Sequence, residues 1–121
     1  MIAKTVPVPD RMTDYENTHA AFDWDLPESF NFGGDVVDVW ARDPERLALI
    51  WCNAEGREER YTYADIAALS NKLANVLKSA GLEKGDRILV VLPRIPAWQL
   101  ALVACTKLGV IPIPCITMLT R

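Results

Sequence analysis

A chain of 121 residues is one domain or less, able to bury roughly two-thirds of its unfolded surface in a modest core. Half of its residues are hydrophobic and 24% are charged, an ordinary composition for a folded domain. The 16 acidic and 13 basic residues leave a net charge of -3, a balance that argues against a nucleic-acid surface with its clustered basic excess.

Residues 1–27 read as an extended leader, rich in proline and acidic side chains and laid over a surface rather than folded alone. Met1 to Trp24 mixes prolines with Asp10, Asp14, Glu16 and Asp23 and has no apolar core, so no secretory signal is expected there. The same acidity argues against a mitochondrial transit peptide, and no apolar run reaches the length of a membrane span. The cytoplasm is the expected compartment. His19, the only histidine, lies in this polar leader, where a surface or packing role is expected.

Phe30-Asn-Phe-Gly-Gly introduces a helix over Asp35 to Ala41, with Val36, Val37, Trp40 and Ala41 on one side. Asp35 is placed to cap its start and Asp43-Pro44 to end it. Leu47 to Cys52 predicts a strand, Asn53 to Glu59 a turn, and Arg60 to Tyr63 an antiparallel return strand. Thr62 and Asp65 stand at capping-box spacing. The helix they open carries Ile66, Leu69, Leu73, Leu77 and Ala80 on one face, with Ser70, Asn71, Lys72, Asn75 and Lys78 mostly on the other. Gly81 supplies its left-handed stop.

Ile88 to Leu92 is an uninterrupted apolar run, and Val110 to Ile116 is another apart from its prolines. Such runs suit parallel strands covered on both faces. Between them, Ala97 to Leu108 is broken only by Gln99, Thr106 and Lys107, the pattern of a helix inside a larger body. Pro96 suits its first turn and Gly109 its end. A strand, helix, parallel strand connection is expected to be right-handed. The fold class is therefore α/β, with a parallel strand-helix-strand unit beside a short antiparallel pair. The second strand ends close to Arg121, so the chain reads as the opening of a larger enzyme.

Reactive chemistry is sparse. Cys52, Cys105 and Cys115 are odd in number, widely spaced and set among apolar neighbours, which fits buried reduced thiols in an intracellular protein and not a zinc or redox pair. Gly33-Gly34 could cradle a phosphate, but no strand leads into it and no Walker or Gly-x-Gly-x-x-Gly pattern surrounds it; a flexible helix entry is the plainer reading. Gly85-Asp86-Arg87 reads as an ordinary connection before a strand. Arg94 stands at the carboxyl end of a parallel strand, where α/β sheets bind ligands, and is the best lone charged candidate for an anion contact, although a solvated loop arginine is the reading preferred. Trp98 reads as packing, and Asp35 with Asp38 as a cap plus a surface acid. No catalytic, cofactor-binding or metal-binding residue is assigned.

The motif string carries further. Arg60-Tyr-Thr-Tyr-Ala-Asp-Ile, Ser70-Asn-Lys-Leu-Ala-Asn, Gly81-Leu-Glu-Lys-Gly-Asp-Arg-Ile and Leu92-Pro-Arg-Ile-Pro, in that order, resemble the start of AMP-forming acyl-CoA synthetases of the adenylate-forming superfamily. Phe30-Asn-Phe-Gly-Gly-Asp-Val-Val-Asp-Val-Trp-Ala and Leu92-Pro-Arg-Ile-Pro-Ala-Trp-Gln-Leu resemble the medium-chain branch. Residues 28–121 would then be the N-terminal part of an AMP-binding domain, cut before its phosphate loop. The resemblance implies a ligase that joins a fatty or related carboxylic acid to ATP as an acyl-adenylate, with Mg2+, and passes the acyl group to coenzyme A. The phosphate loop, the nucleotide contacts and the mobile C-terminal domain would all follow Arg121, so the segment alone is expected to be catalytically incompetent and to bind none of these cofactors. Its partner would be the remainder of the synthetase. The alternative is a stand-alone, non-catalytic α/β module that binds a protein through apolar faces; a pseudo-enzyme that still holds a nucleotide is a third option. On the ligase reading the isolated chain should expose apolar surface and self-associate, dissolve poorly or depend on the missing remainder.

Overall fold

The computed structural model describes residues 14–24, 26–115 and 117–118. Much of the leader, including its prolines near the N-terminus, lies outside the described residues. Where an extended course is expected, Tyr15–Ala21 forms a short helix, α1. Asp14 caps it by accepting the Asn17 amide at 3.1 Å, and no residue of α1 is buried.

Phe32–Asp38 is a π-helix, and its cap is Asn31 rather than Asp35. The Asn31 side chain accepts from the amides of Gly33 and Gly34 at 2.9 and 3.2 Å. Asp35 is the reciprocal partner, its carboxylate accepting from the Asn31 amide at 2.6 Å. The expectation of a cap at Asp35 fails because the glycines let the turn begin earlier and wider than an α-helix.

Strand β1 (Leu47–Cys52) matches the expected span, and β2 (Glu58–Thr62) pairs with it antiparallel. The return strand starts two residues earlier than expected, because Glu58 and Glu59 pair with Cys52 and Trp51 across the ladder. Arg60 holds Glu58 at 2.6 Å and Arg57 holds Glu59 at 2.5 Å. Tyr63, expected in the strand, instead opens α2 (Tyr63–Ser79). The capping box forms as expected: Thr62 Oγ1 accepts from the Asp65 amide at 3.2 Å, and Asp65 accepts from the Thr62 amide at 2.9 Å. Gly81 follows the helix at φ +91°.

Strands β3 (Arg87–Val91) and β4 (Ile111–Cys115) pair in parallel across α3 (Pro96–Leu108). From Leu100 to Val110 no residue is exposed, as its apolar sequence demands. The core lies where the π-helix, α2, α3 and the β1–β2 hairpin meet, around Val37, Ile66, Ala67 and Val103, with Leu49, Tyr61 and Leu100 packed against them. The buried face of α2 shares Ile66 with the expected one and differs in the rest. Ile66, Ala67, Ser70 and Ala74 face inward, while Leu69, Leu73 and Leu77 are only half-buried. Ser70, expected on the polar side, is fully buried and donates to the Ala67 carbonyl at 3.1 Å. Small side chains let α2 and α3 approach closely, and that gain outweighs burying larger leucines elsewhere.

The parallel sheet is covered on one face only. Val90 is buried, whereas Leu89 (66%), Val91 (47%), Ile111 (46%) and Ile113 (41%) are exposed on the other face. Two-sided cover, expected for a whole body, is not supplied by the described residues. Among those residues no helix is long and apolar enough to cross a membrane.

Candidate functional site

Two clusters bring together side chains distant in sequence. The first lies at the carboxyl end of β3. Pro93 stops the strand, and Leu92 to Ile95 turn toward α3, whose Trp98 amide donates to the Ile95 carbonyl at 3.0 Å. Trp51 of β1 reaches across, its indole N–H donating to the Arg94 carbonyl at 2.7 Å. The result is a cleft of about 390 Å³ lined by Leu49, Trp51, Leu92, Arg94, Ile95 and Trp98, among others. Arg94, the lone candidate for an anion contact, is on this rim and exposed, as the preferred reading of a solvated loop arginine has it. Trp98, read as packing, lines the same cleft.

This cleft does not fit a nucleoside triphosphate with its metal. Among the described residues it offers one guanidinium and no lysine or carboxylate, and Pro96 removes the first amide of α3, whose start opens onto it. Its apolar walls suit a hydrophobic group with at most one anionic end. Among the described residues no group of three His, Cys, Asp or Glu side chains converges in a way that could hold a metal ion.

The second cluster centres on Lys107 near the end of α3. Its ammonium donates to Asp38 at 2.6 Å and to Asn71 at 2.7 Å, and its side chain is 9% exposed. Asn31 donates to the Thr106 carbonyl at 2.8 Å. Together these bonds fasten the π-helix to α2 and α3. Asp38 is thus an ion-pair partner and not a lone surface acid. Gly33 is buried against the Lys107 stem, where a Cβ would collide with Cγ. Gly33 is therefore required by close approach, which corrects the reading of a flexible entry. The Asn31 and Lys107 roles were missed; an Asn four residues before Asp35, and one lysine in an oily helix, were the available signals.

Burial, expected of all three cysteines, holds for Cys105 only; Cys115 is half-buried, and Cys52 is exposed because it ends a strand whose last residue faces solvent. Burial pushes the Cys105 thiol above its ordinary value. Tyr61 donates to Glu59 at 2.6 Å, and that bond raises its phenol. The Asn17 amide holds Asp14 below the usual carboxylate range. Gly85 connects to Gly109 through a backbone bond of 2.9 Å, the ordinary turn expected of it.

The model of the AMP-binding enzyme family matches residues 36–121. The chain belongs to that family. It is 39% identical over 120 residues to human acyl-coenzyme A synthetase ACSM3, mitochondrial, covering 93% of this chain and 20% of that protein. Against rat acyl-coenzyme A synthetase ACSM5, mitochondrial, it is 44% identical over 103 residues, or 79% of this chain and 18% of the relative. The chain thus spans about a fifth of the length of these curated relatives. In three dimensions it resembles the N-terminal subdomain of Klebsiella oxytoca NpsA, with a TM-score of 0.62 and 29% identity over 71% of this chain and 22% of that one. The fatty acyl CoA synthetase of Mycobacterium tuberculosis gives 0.65 and 30% over 74% of this chain and 17% of that one. The architecture is that of the N-terminal subdomain of adenylate-forming enzymes.

Proposed function

We propose that this chain is the opening segment of an ATP-dependent acid–CoA ligase that activates a fatty or related carboxylic acid. The observation that carries this reading is family membership over residues 36–121 combined with 39% identity to an acyl-CoA synthetase along 93% of the chain. On this reading residues 1–27 are a leader and 28–121 the start of the AMP-binding domain. ATP, Mg2+ and coenzyme A are held by the parts that the longer relatives possess.

A carboxylate is a poor electrophile because its leaving group would be an oxide. Adenylation converts that oxygen into a phosphate leaving group, and oriented donors must hold the phosphoryl charge while this happens. The residues of the β3 cleft offer no such array, which supports assigning this chain a scaffolding part and no catalytic turnover of its own. Lys107, Asp38, Asn71 and Asn31 fix the helices behind the parallel strands and so set where the carboxyl end of β3 presents Arg94. The compartment we propose is the cytoplasm, on the acidity of the leader; the ACSM relatives carry "mitochondrial" in their names, so imaging of the tagged full-length protein checks this point.

The experiment joins the 121 residues to the downstream reading frame and assays the product for AMP and pyrophosphate release dependent on acid, ATP and coenzyme A. We expect turnover with aliphatic acids for the long chain, and neither turnover nor calorimetric ATP–Mg2+ binding for the 121 residues alone. A long chain inert toward every acid would overturn the ligase reading. Saturable nucleotide binding by the short chain would overturn its assignment as scaffold.

A further inference from the structure

We draw no further inference here: the strongest candidate, the apolar cleft at the carboxyl end of β3 between Trp51, Arg94 and Trp98, belongs to the site already described, and nothing in the structure shows what covers it.

Discussion

Gly33→Ala separates two accounts of the glycine pair, because they demand opposite signs. A glycine that merely eases the entry to a helix loses backbone freedom on folding, and replacing it with alanine stabilises by about 0.4–1 kcal/mol. In the structure a Cβ at Gly33 runs into Lys107 Cγ, in the middle of the stem. That stem cannot swing aside freely, because its ammonium is held by Asp38 at 2.6 Å and Asn71 at 2.7 Å and the side chain is 9% exposed. Forcing the overlap costs about 1–3 kcal/mol. Releasing the ammonium instead gives up hydrogen bonds to a charged group worth about 1.5–3 kcal/mol. Asp38 is 42% exposed, so water recovers part of that loss. The net expectation is destabilisation of about 1–2 kcal/mol, which at a urea slope of about 2 kcal/mol per molar lowers the midpoint by about 0.5–1 M. Urea unfolding followed by tryptophan fluorescence, with the slope unchanged, reads this directly. In a Lys107→Ala background the obstructing Cγ is gone, and Gly33→Ala should then be neutral or stabilising. A raised midpoint in the single variant, or an undiminished cost in the double one, would refute the close-approach argument.

Four further outcomes rest on other contacts of the same structure. Asn31→Ala frees the Gly33 and Gly34 amides and the Thr106 carbonyl at once, and should cost about 1–2 kcal/mol in the same urea assay; Asn31→Asp, which keeps the cap and loses only the Thr106 bond, should fall between. Cys52 should react quickly with an aromatic disulfide reagent, whereas buried Cys105 should react only as the chain unfolds, which stopped-flow absorbance resolves. Folding raises both the Cys105 thiol, ordinarily 9.0, and the Tyr61 phenol, ordinarily 10.0. The unfolded chain therefore releases these protons first, and the urea midpoint should fall as pH climbs from about 8 to about 11; a flat or rising profile would contradict this. Trp51→Phe removes the indole bond to the Arg94 carbonyl and should cost about 0.5–1.5 kcal/mol, less if water replaces it at this exposed position.

Much of the local structure was legible in the residues. The strand at Leu47–Cys52, the Thr62–Asp65 capping box, the glycine stops at Gly81 and Gly109, and the parallel pairing of the two apolar runs all stand as expected. These features depend on neighbours within a few positions, or on an apolar run too long for a surface. Element ends shifted by a residue or two where the ladder or the cap took over, as at Glu58 and Tyr63. The candidate site was half legible: Arg94 was placed at the strand end, but Trp51, forty-three residues earlier, was not expected beside it.

The residues by themselves determined that the chain is α/β, where its turns fall, and that its strand-helix-strand unit is too oily to stand in water on both sides. Period and capping chemistry act over one or two helical turns, so they survive any choice of neighbours. Tertiary contact alone decided that α2 buries Ala67, Ser70 and Ala74 instead of its leucines, that Lys107 pins Asp38 and excludes a side chain at Gly33, and that Trp51 closes onto Arg94. Periodicity says which side chains share a face; only the shape and spacing of the partner elements say which face is covered.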